Sequence, residues 1–361
     1  MKEKSPHIKV NAVFTSVLIP FPTEIGQADS QFVKFIDNHY FLSPYRTDTQ
    51  KTTIKLASSN IKSFTKMQPS SARGSVLSFG PYNMIKPFDS SNLIVHYANN
   101  KPFAKFSTVA REVEVSHWGN VFFEDIYELK HAGAKLKGGF SRFDFQTRRS
   151  SAPTPAFSSL HAQLPRGAQE IYYRDQIGNI STSDLTFAID SVGLDIETRF
   201  PIFGGWQTQF YIGYSVPSNT GVLFVKPDES NDSTSRFKLT FDFFPSFDDV
   251  WVEEMEIKVV LPEGCYDIKV DSPFPVDTQE TRRFTYLDSQ LNGGRPVIIM
   301  KAYNLVDEHA LPLSVSYSFS KPRMLVEPLM LVGSVFCFFL FCSLLSRLDL
   351  KLGGKENVST M

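Results

Sequence analysis

A run of seventeen uncharged residues, Leu329 to Leu345, constrains this chain more than any other stretch. Wound as a helix it spans about 25 Å, at the short end of what a bilayer core of roughly 30 Å demands. Met324, Leu325 and Val326 lengthen it, with Glu327 at headgroup depth and Pro328 near the helix start. Lys321, Arg323, Arg347 and Lys351 bracket the run as snorkelling residues do. Cysteines, leucines and phenylalanines occur all round it, which does not suit a helix with one face in a soluble core. The pattern predicts a transmembrane helix over 325–346, a large region before it and a short tail over 347–361.

Of the 361 residues, about 320 precede the span, enough for two domains of ordinary size. The 37 basic residues balance the 38 acidic ones, so nothing points to a nucleic-acid surface. The 33 phenylalanines, 13 tyrosines and 22 prolines favour β-rich domains with many turns. Cys337 and Cys342 fall in the apolar run, which leaves Cys265 alone before it, so the preceding domains must stand on their cores without a disulfide framework. Residues Met1 to Pro6 lead into no long apolar stretch. Two explanations follow: an upstream signal sequence outside this chain, or a tail-anchored protein with its mass in the cytosol.

Along the chain, Ile8, Val10, Ala12 and Phe14 alternate with polar residues and predict a strand. Further strands are expected at Phe32–Ile36, Thr53–Leu56, Ile94–Tyr97 and Phe103–Val109, with a loop from Pro69 to Gly80. Val113 to Val121 alternates with period two and continues through Glu124 to Leu129. A loop is expected over 148–156 and a short helix at Leu160–Leu164, stopped by Pro165. Gly178-Asn179 marks a hairpin turn, and Gly204-Gly205 separates two strands between Arg199 and Tyr214. Asn219 to Ser235 reads as a polar loop. Strands at Phe237–Phe243, Glu256–Leu261, Tyr266–Val270, Arg282–Leu287, Pro296–Tyr303 and Leu313–Phe319 have the spacing of an antiparallel sandwich. The expected division is a first β-rich domain over 1–108 and a second over 109–322. An echo between Thr53–Lys62 and Ile257–Lys269 suits either tandem related domains or chance similarity between amphipathic strands.

The seven histidines are scattered, with no H-x-H or H-E-x-x-H pattern. Phosphate-cradling loops and nucleophile elbows are likewise missing from the sequence. Asp248-Asp249 is the one acidic pair that could hold a metal with a sugar nucleotide; solvated side chains are its plainer explanation. Arg148-Arg149 and Arg282-Arg283 could meet phosphate, with solvated charge again the plainer account. No catalytic, cofactor or metal residue is assigned. Three N-x-Ser/Thr sequons occur, at Asn179, Asn231 and Asn357. They test topology: glycan on Asn179 or Asn231 places the large region in a lumen, whereas only Asn357 is reachable in a tail-anchored arrangement.

Arg111 to Asn120, with Ser116-His117-Trp118-Gly119-Asn120 at its centre, resembles the ribophorin I family. The likeness continues through Leu129-Lys130-His131, Gly139-Phe140-Ser141-Arg142, Tyr172-Tyr173-Arg174-Asp175 and Phe203-Gly204-Gly205-Trp206. Leu261-Pro262-Glu263-Gly264, Gly294-Arg295-Pro296-Val297 and Glu327-Pro328-Leu329 carry it into the apolar run, and Asn38-His39-Tyr40-Phe41 extends it upstream. The family starts with a signal peptide and a longer first domain, and continues into a longer cytosolic segment than this chain shows.

The resemblance implies a non-catalytic subunit of the oligosaccharyltransferase of the endoplasmic reticulum membrane. That complex transfers a preassembled glycan from dolichol diphosphate to asparagine in N-x-Ser/Thr sites. It also implies a lumenal N-terminal mass and no cofactor of the subunit's own. The implied partners are the catalytic subunit and other subunits, the nascent polypeptide, the translocon neighbourhood and the membrane. Asn179 becomes the expected glycan acceptor, with Asn231 as a second. The competing functions are a tail-anchored interaction protein and a membrane-anchored metal-dependent glycosyltransferase using Asp248-Asp249.

Overall fold

The computed structural model describes residues 7–116, 118–148, 154–227, 234–284 and 293–347. The first part of the chain forms β1 (Leu18–Pro20), β2 (Glu24–Ile25), β3 (Phe32–Asn38), β4 (Thr47–Lys55), β5 (Ile61–Phe64), β6 (Ser70–Arg73), β7 (Val76–Ile85) and β8 (Asn92–Ala98). One sheet has the order β1-β3-β8-β5 and the other β4-β7-β6. Their inward residues, among them Val33, Leu77, Phe79, Leu93 and Val95, share one core. This is a small β-sandwich, with side chains alternating in and out along each strand.

Two local expectations change here. Ile8, Val10 and Phe14 form no strand and stand exposed, because a period-two pattern needs a neighbouring strand to pair with and none lies beside this segment. Pro69–Gly80, expected as a loop, is a hairpin of β6 and β7 turning at Gly74, whose φ is +57°. Its serines and glycines mark the turn, while Leu77 and Phe79 alternate into the core.

The second part forms β9 (Ala104–Val115), β10 (Asn120–His131), β11 (Lys135–Leu136), helix α1 (Arg142–Arg148), β12 (Ala156–Pro165), β13 (Gln169–Asp175), β14 (Ser183–Phe187), β15 (Ser191–Phe203) and β16 (Gln207–Pro217). After it come β17 (Leu223–Pro227), β18 (Thr234–Asp242), β19 (Trp251–Val260), β20 (Tyr266–Asp271), β21 (Asp277–Arg283), β22 (Arg295–Leu305) and β23 (Pro312–Ser320). A seven-stranded sheet, β13-β16-β10-β9-β19-β22-β21, lies against two smaller ones, β12-β15-β14 and β17-β18-β23-β20. All three sheets contribute to the large core, from Phe106 and Tyr127 through Leu194 to Tyr317.

The seven-stranded sheet is not purely antiparallel: β9 and β19 run parallel, side by side. A parallel pair needs a long crossover, and here everything from β10 to β18 supplies it. Leu160–Leu164, expected as a helix, belongs to β12 and pairs with β15; Ala162 and Leu164 point inward with period two. The tight turn after β13 is present, with Gly178 N–H donating to the Asp175 carbonyl and Arg174 bridged to Asn179. Of the expected loops, 149–153 and 228–233 lie outside the described residues, whereas Leu223–Pro227 is β17.

Strand β9 crosses residue 108 without interruption, and the two cores part between Phe103 and Ala104. The parts are tied by short parallel pairing of β2 with β11 and by two glutamines. Buried Gln31 donates to the Asn99 carbonyl at 2.9 Å and accepts from the Ala134 N–H at 2.8 Å. Gln27 makes the reciprocal pair with the Ser141 backbone, at 2.8 and 2.9 Å.

After β23 the chain makes one 3-10 turn, Lys321–Leu325, and enters helix α2 (Val326–Arg347). Its 22 residues reach roughly 33 Å. Mean hydropathy over the Pro322–Arg347 segment peaks at 2.4, and none of that window is buried in the protein. The helix is long and apolar enough to cross a bilayer.

Gly204 sits where β11 bridges the end of β15, and a β-carbon there would overlap the Ala134 carbonyl. Backbone cannot step aside as a side chain can, so Gly204→Ala should destabilise by about 2–3 kcal/mol. Gly139→Ala, with open space at that position, should leave the urea midpoint unchanged. Equal midpoints for the two variants would contradict this account.

Candidate functional site

Arg111 and Asp125 occupy inward positions of adjacent strands β9 and β10, which pair them directly across the ladder. Both are buried. Arg111 Nε and Nη2 donate to the two Asp125 carboxylate oxygens, each at 2.7 Å. Nη1 donates to the carbonyls of Asp242 at 2.8 Å and Phe244 at 3.2 Å, at the end of β18 and just past it on the facing layer. Tyr127 Oη donates to Asp125 at 2.8 Å. Burial opposes the Arg111 charge, and the adjacent carboxylate more than offsets it, holding the guanidinium protonated. Burial, reinforced by Asp125, likewise raises the Tyr127 hydroxyl well above its ordinary value. Every strong donor and acceptor here is satisfied within the protein, so the arrangement clamps two layers together. The sequence carried a signal for it: Arg111 falls in the inward series with Val109 and Val113, and Asp125 with Phe123 and Tyr127.

A cleft of about 490 Å³ opens beside this pair, lined by Arg111, Tyr214, Asp190, Asp242, Asp248 and Asp307. Asp249 turns the other way. It sits at φ +57° and lines a separate cavity of about 570 Å³. Its carboxylate meets Lys101 Nζ at 2.7 Å, and its N–H donates to Asp307 at 2.9 Å. The acidic neighbours therefore face different cavities and do not act as a chelating pair. Among the described residues, no three His, Cys, Asp or Glu side chains approach as metal ligands would.

The histidines are similarly dispersed. His131 is buried, accepting from the Gly133 N–H on Nδ1 at 2.8 Å and meeting the Pro155 carbonyl with Nε2 at 3.1 Å. Burial drives its pKa down to about 4. His39 packs edge-on to Phe79 and meets the Ser91 carbonyl, while His161 pairs with Asp195 at 2.7 Å in the open. His117 lies outside the described residues. Cys265 is buried, and burial pushes its thiol up to about 12, the opposite of a reactive nucleophile. Arg283 pairs with Glu112 and Arg282 with Glu280, so each has a carboxylate partner; Arg149 lies outside the described residues.

Asn179 is exposed, on the turn that follows β13. Asp175 organises that turn: its carboxylate accepts from the N–H groups of Ile177 and Gly178 at 2.9 and 3.0 Å, and from Arg199 at 2.5 and 2.8 Å. The Arg199 hydrogen bonds lead in holding the Asp175 carboxyl below its ordinary value. Arg174 Nε donates to the Asn179 side-chain oxygen at 2.6 Å. Ser181 is also exposed, while Ile180 between them packs partly against the large core. Asn231 and Asn357 lie outside the described residues.

These features define a mostly-β protein built on a buried ionic clamp, with an open sequon and one helix fit to cross a membrane. The chain belongs to the ribophorin I family, whose model matches residues 1–346. It is 42% identical over 346 residues to dolichyl-diphosphooligosaccharide–protein glycosyltransferase subunit 1B of Oryza sativa subsp. japonica, covering 96% of this chain and 71% of that protein. Subunit 1A of Arabidopsis thaliana is 40% identical over 345 residues, with 96% and 54% covered. Subunit 1 of Caenorhabditis elegans is 41% identical over 349 residues, with 96% and 58% covered. The chain thus spans between about half and seven-tenths of the length of these relatives.

Two outcomes follow from the buried groups. Arg111→Ala leaves Asp125 charged and unpaired in the core, and should destabilise by about 3–5 kcal/mol. The double change Arg111→Met with Asp125→Leu should recover most of that loss in a urea titration; a double variant as unstable as the single one would show that the clamp is not what Arg111→Ala breaks. For His131 the folded pKa lies below the unfolded 6.5. Its contribution is therefore fully present above pH 6.5 and is lost as pH falls toward about 4, amounting to on the order of 3 kcal/mol. His131→Gln should flatten the stability profile across that window, and an unchanged slope would sink this assignment.

Proposed function

We propose that this chain is an accessory, non-catalytic subunit of an oligosaccharyltransferase in the endoplasmic reticulum membrane. On this reading the layered β part is lumenal and the residues after α2 are cytosolic. The family match across residues 1–346 carries the reading, because it runs through both sandwich cores and the apolar helix together. The relatives' printed names supply the complex and its reaction. The chemistry of the described side chains agrees with a bracing role: the strongest polar cluster is internally satisfied, and Asp248 and Asp249 diverge. Catalysis then belongs to a neighbouring subunit, and this one holds its place through α2 and its lumenal surfaces, near the nascent polypeptide and the translocon. The division into domains over 1–108 and 109–322 is proposed in the same spirit, as two separately cored bodies, with all of β9 from Ala104 packing in the second.

Mild-detergent purification of the tagged chain from microsomes should recover the catalytic subunit, and depletion of the chain should leave glycoprotein substrates under-modified. A chain recovered free of that subunit would count decisively against the assignment. For topology, the full chain should carry a glycosidase-sensitive mass increment that Asn179→Gln removes. Glycan found on Asn357 instead would reverse the orientation.

A further inference from the structure

The point where α2 leaves the β layers makes one end of the molecule special. Only the turn Lys321–Leu325 separates the end of β23 from α2. At about 2 Å per residue, a 3-10 turn of this length covers on the order of 10 Å. It is no loose tether. Met324 packs against the large core, and the Arg323 guanidinium occupies the space a β-carbon on Gly264 would fill. The interfacial layer of one leaflet is itself roughly 5–8 Å deep. Groups that project from this end therefore reach the lipid headgroups once α2 crosses a bilayer.

Strand pairing identifies those groups. Tyr266 opens β20 opposite Ser318, two residues from the end of β23. Parallel pairing brings Val260, at the end of β19, level with Glu114 in β9. Arg295 ties the same corner: it pairs with Glu114 and donates to the carbonyls of Val115 and Leu261, each at 3.2 Å. Arg283 stands opposite Arg295, with Phe284 next in the chain. The tip of the β9–β10 hairpin, the turn holding Gly264 and the end of β21 thus share the end from which α2 departs. Among the side chains they expose are three aromatic ones, Trp118 at 65%, Phe284 at 61% and Tyr266 at 49%, beside polar and charged ones such as Asn120 and Asp267. Trp206, by contrast, packs on the core. Four exposed arginines, Arg236, Arg282, Arg283 and Arg323, stand among them, the first three also meeting Asp267, Glu280 and Glu112 at their solvent-facing ends.

We propose that this end is a membrane-surface footprint, in which Trp118, Tyr266 and Phe284 seat in the phospholipid interface and the arginines meet lipid phosphates. Amphipathic rings favour that depth, apolar body down and polar edge in the wet layer. Guanidinium groups recognise phosphate oxygens through paired hydrogen bonds. The occupant follows from position, since the footprint is continuous with the segment that enters the bilayer. The footprint orients the β layers on the membrane and stops them from swinging about α2. It depends on α2 crossing a bilayer, and not on which complex the chain joins.

The test uses the full chain, reconstituted alone into phosphatidylcholine vesicles whose acyl chains carry bromine near the glycerol end. Flotation first shows that the chain is inserted. Tryptophan emission should then be lower than in unbrominated vesicles, and Trp118→Phe should abolish that difference. Restoring a reporter with Phe284→Trp in the Trp118→Phe background should bring quenching back; both sites are exposed, so neither change disturbs the core. Inserted protein with no quenching, quenching unaffected by Trp118→Phe, or no recovery with Phe284→Trp would each overturn the footprint. Protection of Trp118 only after other membrane subunits are added would assign the surface to a protein and overturn it equally. Loss of the catalytic partner in purification, by contrast, would leave these measurements untouched.

Discussion

The Arg111–Asp125 pair is the contact on which the large β body turns. It closes the β9–β10 register from inside, and Arg111 reaches across the core to the Asp242 and Phe244 carbonyls of the facing layer. A buried ion pair is weak as a source of net stability, because desolvation offsets most of its attraction. Its value lies in specificity. A shift of β10 by one residue would carry Asp125 out of reach and leave Arg111 buried without a counter-charge. The outer face of β9 repeats the pattern nearer solvent, where Glu112 meets Arg283 of β21 and Glu114 meets the half-buried Arg295 of β22. One strand thus receives charge partners on both faces, and its parallel neighbour β19 is held to match.

That rigidity has a use at the end of β9. The strand finishes at Val115, in the corner where Arg295 also binds the Leu261 carbonyl and where Arg323 lies on Gly264. Gly264 has φ +81°, a conformation natural to glycine, and its missing side chain admits the guanidinium. The path from the buried clamp to the apolar helix therefore runs through short, packed segments, with Met324 sealed against the core. A short packed junction of this kind couples the orientation of body and helix more closely than a flexible linker would.

Much of this was legible in the residues. Alternation in Glu124–Leu129 and between Gly205 and Tyr214 marked β10 and β16, because one face of each is buried, whereas the one strand expected over Val113–Val121 divides into the end of β9 at Val115 and the start of β10 at Asn120. The apolar run gave α2 by length alone. What misled was local chemistry without its partner. Ile8–Phe14 alternates as a strand does, yet a strand exists only where a second edge supplies hydrogen bonds. Leu160–Leu164 reads as helix or strand by composition, and pairing with β15 decided it. The parallel β9–β19 contact was out of reach, since nothing local encodes the order in which distant strands meet. For the candidate groups the sequence was silent about geometry. Asp248 and Asp249 are adjacent in the chain and diverge because Asp249 adopts a left-handed backbone conformation.

The exposed aromatic residues complete the argument about where function resides. A protein with this much phenylalanine could bury nearly all of it, and the large core does take Phe106, Phe123, Phe210, Phe243 and Phe247. Trp118, the largest exposed side chain at that end, instead crowns a hairpin tip whose backbone is already complete: Ser116 N–H donates to the Asn120 carbonyl, and Ser218 N–H to the Gly119 carbonyl. Nothing in the fold requires an indole there, since a tip residue contributes neither to the ladder nor to the core. Scattered apolar residues on a surface need no special cause. An exposed indole at the end where the chain enters an apolar helix has a cause available in the bilayer interface proposed beside it.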